Sequence, residues 1–169
     1  MMTPSASNGV RPNIMEHIPN NPNSKLLKTC TINIRSIRNK SEAIKELFLK
    51  HQLDILTITE TWLNGLSNQE TDLTVIQSPP YPSAGIMILL SKEFKNIQQV
   101  LPAAWTRNTI AIAAQLHNKT IYVVGHYTQP DQKSRTDQEL MEFVNYINRT
   151  KRRRIIIAGD LNRNIQALT

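Results

Sequence analysis

Polar side chains follow several apolar segments of this 169-residue chain, at the points where the segments end. "TINIRS" carries Asn33, "ILTITETWL" runs into Glu60, and "IYVVGHYTQP" reaches Tyr127. The isoleucine run of "IIIAGDLN" is followed by Asp160 and Asn162. β-Branched residues favour a covered strand, but a carboxylate gains nothing there unless it meets water, a metal ion or a phosphate. The strand ends of a layered fold can converge on one sheet edge, where ligands are commonly held.

These residue types fit the hydrolysis of a phosphodiester. Mg²⁺ needs only one or two carboxylates because it keeps several waters, so Glu60 with Asn33 beside it is the predicted metal-ligand pair. Asp160 is predicted to orient or deprotonate an attacking water, and Asn162 and Tyr127 to donate hydrogen bonds to phosphate oxygens. A plainer interpretation makes each of them a separate turn or capping residue, and the residues alone leave both interpretations open.

The apolar patterns between these residues predict the elements that position them. "LLKTCTINI" alternates like a strand, "NKSEAIKELFLKH" has one apolar helical face, and "LDILTIT" is a second strand, which favours a parallel pair with a right-handed crossover. "GIMILL" is typical of a buried strand, and "TIAIAAQLHNKTIYVVGHY" of two strands joined by a hairpin. "TDQELMEFVNYINRT" predicts a second helix, with capping boxes at Asn39 with Glu42 and at Thr136 with Glu139. These elements indicate the α/β or α+β class.

The composition divides the chain into two parts. Residues 1–24 hold four prolines among Asn and Ser, which predicts a disordered leader before a domain at residues 25–169. The net charge is +7, and since Arg11 and Glu16 cancel, the whole excess lies in the domain. A basic domain favours nucleic acid or an anionic membrane face, although housekeeping surfaces are equally basic.

The single Cys30 and the hydropathy pattern bear on the compartment. One cysteine excludes an internal disulfide and suits a reducing, intracellular location. No segment approaches the roughly 18 consecutive apolar residues of a membrane span, so no membrane partner is expected. The N-terminus lacks the basic-then-apolar layout of a secretory signal.

Four motifs together resemble the endonuclease/exonuclease/phosphatase superfamily, namely "TINIRSIRNK", "DILTITETWL", "HYTQP" and "IIIAGDLN". Their order and spacing are those of the superfamily. "SIRNK" and "ITETWL" are most similar to the apurinic-endonuclease-like domain of non-LTR (LINE-type) retrotransposons. The resemblance covers residues 28–169, nearly everything after the leader, whereas "GDLN" alone would be a weak indication.

The resemblance implies a role for each strand-end residue. Glu60 and Asn33 belong to the metal site, Tyr127 contacts phosphate, and Asp160 and Asn162 act on the nucleophile and the phosphate. The implied fold is an α+β sandwich of two packed, mostly antiparallel sheets with helices outside. The implied activity is Mg²⁺-dependent hydrolysis of a DNA phosphodiester, with Mn²⁺ as an alternative cation. An intact element adds a C-terminal reverse transcriptase domain and acts on nuclear DNA.

The chain departs from the family pattern in several places. Arg35 stands where many relatives have Asp. At the second position after Tyr127, where relatives usually have proline, this chain has Gln129, and a proline follows only at Pro130. The family's later motifs, a metal-side Asp and a terminal Ser-Asp-His with the catalytic histidine, would follow "GDLN", but the sequence stops at residue 169. We therefore expect a fold incomplete at its C-terminus and nicking of plasmid DNA near background by residues 1–169. None of the four histidines has the catalytic position: His17, His51, His117 and His126.

Further basic residues are candidates for contact with DNA phosphates. A solvated connection or a nuclear-import patch also explains "KRRR" at residues 151–154. Trp62, close behind Glu60, is expected to pack against the sheet rather than to contact a base. The basic candidates are Arg38, Lys40, Arg152, Arg153 and Arg154.

Two alternatives to a retrotransposon-type endonuclease stay open. An inositol-phosphate-type phosphatase of the same superfamily also carries "GDLN", but "ITETWL" argues against it. A truncated, non-catalytic remnant that binds nucleic acid by charge is favoured by the missing histidine.

Overall fold

Nine strands and two helices make up the part of the chain that the computed structural model describes, which is residues 13–17, 26–62, 73–78, 85–100, 108–149 and 154–162. In chain order they are β1 (Asn13–His17), β2 (Leu27–Asn33), α1 (Ser41–Lys50), β3 (Ile55–Thr59), β4 (Leu73–Gln77), β5 (Ile86–Ser91), β6 (Lys95–Gln99), β7 (Thr109–Leu116), β8 (Lys119–Tyr127), α2 (Lys133–Asn148) and β9 (Arg154–Asp160).

The strands form two mixed sheets. The first has the order β1-β2-β3-β5-β4 and the second the order β6-β7-β8-β9. Neighbouring strands are antiparallel except for β2 with β3 and β8 with β9, which are parallel. Each parallel pair encloses a helix in sequence, as a crossover connection requires. The predicted parallel pair is confirmed, as is the mostly antiparallel α+β sandwich.

Side chains of alternate residues pack on opposite faces of the first sheet. Ile55 of β3 belongs to the apolar core between the sheets, together with Ile110 of β7. Leu56, the next residue, packs with Phe48 of α1 on the outer face. Phe143 of α2 packs on the outer face of the second sheet. The layers are therefore helix, sheet, sheet, helix, which explains why β3 is buried at every position.

The β7–β8 hairpin is confirmed, and its turn shows why the sequence predicted it. His117 and Asn118 form the turn, with φ angles of 48° and 60°. Two-residue hairpins need this left-handed conformation, and Asn tolerates it well.

The predicted capping box of α1 is wrong. The residue before the helix is Lys40, and no side chain caps the first turn. Asn39 has a φ of 60° and belongs to the preceding turn. Glu42 forms a 3.0 Å ion pair with Lys45 instead of reaching back to the N-terminus.

The predicted capping box of α2 is also wrong, because the helix begins earlier, at Lys133. Thr136 is therefore inside the helix, where its buried hydroxyl group donates to the carbonyl oxygen of Gln132 at 3.0 Å. Glu139 pairs with Arg135 at 3.1 Å, one helical turn away.

Five residues of the predicted disordered leader form a strand. Residues 13–17 pair antiparallel with β2, so the prediction is wrong for them. This stretch lies between Pro12 and Pro19 and has no proline itself, so its N–H groups can complete the edge of the sheet. The rest of the leader lies outside the described residues. Among the helices described, none is long and apolar enough to cross a membrane.

Candidate functional site

The parallel pairs of the two sheets bring the predicted site residues to one edge. Asn33 at the end of β2 is in register with Thr59 of β3, which Glu60 follows. Tyr127 at the end of β8 is in register with Asp160 at the end of β9. Because parallel strands end at the same edge of their sheet, each sheet presents two of these side chains there.

Asn33 is the centre of a hydrogen-bond network that crosses from one sheet to the other. Its Nδ2 donates to Oε1 of Glu60 at 2.7 Å and to Oδ2 of Asp160 at 2.9 Å. The hydroxyl group of Tyr127 donates to the same Glu60 oxygen at 3.0 Å. The backbone N–H of Asn162 donates to Oδ1 of Asp160 at 3.0 Å. All five strand-end residues therefore lie together, as predicted, while their catalytic roles stay predictions.

The turn after β3 is fixed from both sides. Glu60 has a φ of 56°, and its carbonyl oxygen accepts the N–H of Ser36 at 2.7 Å. Thr61 donates its N–H to the carbonyl of Gly85 at 3.3 Å and accepts the N–H of Ile37 at 2.9 Å. Position 85 needs glycine, since a Cβ there would lie 2.3 Å from Oγ1 of Thr61. These bonds set the direction of the Glu60 carboxylate.

The ends of β8 and β9 are held by Thr128. Its N–H donates to the carbonyl of Asp160 at 2.9 Å, and its own carbonyl accepts Nδ2 of Asn162 at 2.6 Å. Nδ2 carries two hydrogens, so this bond leaves one for a ligand. Thr128, Ser36 and Thr61 act here through their backbones, and no side-chain pattern in the sequence indicates them.

The hydroxyl group of Tyr127 is held in its protonated form. Burial raises its pKa, and the hydrogen bond to the Glu60 carboxylate and the negative charges of Glu60 and Asp160 raise it further. Tyr127 can therefore act as a hydrogen-bond donor but not as a base at neutral pH.

The donor atoms fit a hard divalent cation. Oε1 of Glu60 accepts both side-chain bonds, and among the described residues no donor bonds to Oε2. Oδ1 of Asn33 accepts only the N–H of Arg35, at 3.3 Å, and keeps a second lone pair. Among the described residues, no group of three or more His, Cys, Asp or Glu is placed to hold a metal ion. The carboxylate and amide oxygens of Glu60 and Asn33 are ligands of the kind that Mg²⁺ prefers.

No histidine side chain that the structure describes contacts this network. His51 follows α1, and His117 lies in the β7–β8 turn. His126 precedes Tyr127 and so points to the other face of β8, where its Nδ1 lies 2.8 Å from Oγ1 of Thr109.

The basic residues predicted to contact DNA have different surroundings. Arg38 is exposed on the loop between β2 and α1, as is Arg35. The Lys40 ammonium group is half-buried and donates to the carbonyl of Ile34, so it supports the same loop. Arg154 is exposed at the start of β9, roughly 20 Å along the strand from its other end. Arg152 and Arg153 lie outside the described residues.

The structure is thus an α+β sandwich that brings two carboxylates and an amide together at one edge. The chain belongs to the Endonuclease/Exonuclease/phosphatase family, which its sequence matches over residues 30–166. No curated protein matches the sequence.

Several solved structures share the fold. The endonuclease domain of TRAS1, a telomere-specific non-LTR retrotransposon, superimposes with a TM-score of 0.64 at 14% identity, over 83% of this chain and 61% of its own. An AP endonuclease from Archaeoglobus fulgidus has a TM-score of 0.57 at 21% identity, over 80% and 57%. The 3′ phosphatase NExo from Neisseria, bound to a product DNA hairpin, has a TM-score of 0.57 at 20% identity, over 79% and 56%. The chain thus spans about three-fifths of the length of these structures.

Proposed function

We propose that this domain is a Mg²⁺-dependent DNA phosphodiesterase of the retrotransposon-endonuclease type. The observation that carries the proposal is the Asn33 amide bonded to both Glu60 and Asp160, because it places two carboxylates together with Oε2 of Glu60 still able to bind a cation. The similar folds of a retrotransposon endonuclease domain and of a DNA-bound phosphatase support DNA as the substrate. In this proposal the domain acts on nuclear DNA, beside a reverse transcriptase.

Each residue of the network has a task in such a reaction. Glu60 and Asn33 would hold the cation, and when bound it neutralises charge on the phosphate oxygens. Asp160 orients the attacking water or accepts its proton. Asn162 keeps one amide hydrogen for a phosphate oxygen, and Tyr127 fixes the Glu60 carboxylate.

The chemistry still needs a proton donor for the leaving oxygen. Such a group typically contributes about 10²- to 10⁴-fold in rate, and no described histidine contacts the network. We therefore expect residues 1–169 to nick supercoiled plasmid near background. An aryl ester of thymidine 5′-phosphate, with p-nitrophenol as leaving group, needs little protonation and so tests the metal and water half of the site alone.

The experiment measures Mg²⁺-dependent release of p-nitrophenol from this ester by residues 1–169. We expect release above buffer in Mg²⁺ or Mn²⁺ and none in EDTA. Glu60→Gln and Asp160→Asn should each reduce the rate by at least about 10²-fold. Glu42→Gln, which removes an exposed carboxylate of α1, is the matched control and should keep the parental rate.

Equal rates for the parent and Glu60→Gln would contradict the proposal. Together with unchanged Mg²⁺ binding in Glu60→Gln, that result would favour the non-catalytic remnant, since the network would then be a structural device only.

A further inference from the structure

Trp62, two positions after Glu60, is a large apolar residue that is partly exposed at the site. Its exposed fraction is 38%, and its φ of 61° lies in the left-handed region, which a bulky residue rarely adopts. Glu60, two residues earlier, is left-handed as well, with a φ of 56°. Two such angles within three residues turn the chain sharply. Packing against the sheet, as expected for Trp62, therefore covers only part of this residue and leaves the rest accessible.

The backbone under the ring is rigidly held. Thr61, between the two left-handed residues, is buried and bonded through its backbone to Gly85 and Ile37. A Cβ at Gly85 would also lie 3.4 Å from the N atom of Trp62, so the neighbouring strand packs closely behind the turn. Backbone strain of this kind persists only where the surroundings fix it, and it is concentrated at ligand sites.

Positive charge lies on the adjacent loop. Arg35 and Arg38 are exposed on the β2–α1 loop, and this loop is bonded to the same turn by Ser36 and Ile37. An aromatic ring beside cationic side chains is the usual composition of a surface that binds a nucleic acid strand.

We propose that Trp62 stacks on an unpaired base of the substrate strand, next to the scissile phosphate. The inference rests on the proposed function for the identity of that phosphate. Glu60 and Trp62 are two positions apart in the sequence, so their Cα atoms lie at most about 7.6 Å from each other, and a strand advances about 3.4 Å per nucleotide. The backbone of Trp62 is thus within one to two nucleotides' length of the backbone of Glu60, the proposed cation ligand. Through this stacking, Trp62 makes the domain prefer DNA whose bases are unpaired at the cleavage site.

The test measures the affinity of residues 1–169, in EDTA, for two oligonucleotides of equal length. One is oligodeoxythymidylate and the other is the same sugar–phosphate chain without bases. Trp62→Leu keeps an apolar side chain but removes the π face, and we expect about tenfold weaker binding of the thymidylate strand only. Trp62→Phe should recover most of the loss. Tyr146→Leu, which removes an exposed aromatic ring from α2, is the matched control and should bind both strands like the parent.

Salt dependence separates stacking from charge. Stacking releases no counterions, so Trp62→Leu should shift the affinity for thymidylate without changing the slope against salt concentration. Equal weakening for both strands, or no weakening for either, would overturn the proposal. Because no step of this test needs cleavage, the binding result can be interpreted even if the site is inactive.

Discussion

Asn33 and Asp160 are 127 residues apart in the sequence and are joined by a 2.9 Å hydrogen bond from Nδ2 to Oδ2. The bond links the last residue of β2 in the first sheet to the last residue of β9 in the second. Since the same nitrogen also donates to Glu60, the amide separates two carboxylates that would otherwise repel each other. The packing of the two sheets therefore assembles the site, and the site in turn holds their edges together.

Replacing that amide with a third carboxylate should make stability depend on the cation. In Asn33→Asp the donor is lost and a negative charge faces two others, so we expect the free energy of unfolding to fall by about 2–4 kcal/mol in EDTA. Added Mg²⁺ should recover most of the loss, because a ligand that binds only the folded state stabilises it. Urea unfolding with and without Mg²⁺ measures both effects.

Gln98→Glu is the charge-matched control, on the exposed edge strand β6. It should unfold like the parent in EDTA and in Mg²⁺. If Asn33→Asp were as stable as the parent in EDTA, the close approach of the carboxylates would be refuted.

Gly159, directly before Asp160, should tolerate no side chain. Its φ is 151°, and a Cβ would lie 1.8 Å from the carbonyl oxygen of His126, so β8 and β9 would have to move apart. We expect Gly159→Ala to lower the free energy of unfolding by more than about 3 kcal/mol. At Gly125 the new Cβ would lie 2.9 Å from a methyl group of Ile86, which can shift, so Gly125→Ala should be milder, at about 1–3 kcal/mol. Urea unfolding of both variants decides the order, and the reverse order would contradict the geometry.

The sequence predicted the elements whose apolar pattern is strong. β3 and β5 lie between two layers and are apolar or Thr along nearly their whole length, and the hairpin turn at Asn118 carries its own conformational preference. The site residues were predictable for a related reason, because a polar residue that directly follows a buried strand is conspicuous. Their hydrogen bonds were not predictable, since they depend on how the two sheets pack.

Some strands at the sheet edges were not predicted from the sequence. β6 has only one partly buried apolar side chain, Ile97, and its register with β7 shifts at a bulge. β4 is half-buried and was not predicted as a strand. Such strands owe their conformation to pairing with a neighbour rather than to their own sequence. The start of α2 was predicted wrongly because Thr136, a good capping residue by type, is buried inside the helix. The start of α1 was predicted wrongly because Asn39 belongs to the preceding turn.

Two arginines near the site should dominate the salt dependence of duplex DNA binding. Arg35 and Arg38 are exposed on the loop that is bonded to the Glu60 turn, whereas Arg154 is at the far end of β9. We expect the double change Arg35→Ala with Arg38→Ala to lower the slope of log K against log salt by about 1–2, one for each lost phosphate contact. Arg154→Ala, which removes one exposed arginine at the far end of β9, is the control and should leave the slope unchanged. A larger effect from Arg154→Ala would move the DNA path to the other end of the sheet.

His126 should make the fold sensitive to acid. It is fully buried, its Nδ1 lies 2.8 Å from Oγ1 of Thr109, and burial lowers its pKa from 6.5 to about 4. Between these values the unfolded chain binds a proton that the folded chain excludes, so the free energy of unfolding falls as the pH falls from 6.5 towards 4. The full loss is roughly 3 kcal/mol, and above pH 6.5 this histidine adds no pH dependence.

Urea unfolding at pH 7.5, 5.5 and 4.5 measures the slope of the free energy of unfolding against pH, to which acidic residues also contribute. The slope should be flatter in His126→Asn, because asparagine cannot take up a proton. An identical slope in the parent and His126→Asn would show that His126 does not exclude a proton in the folded state.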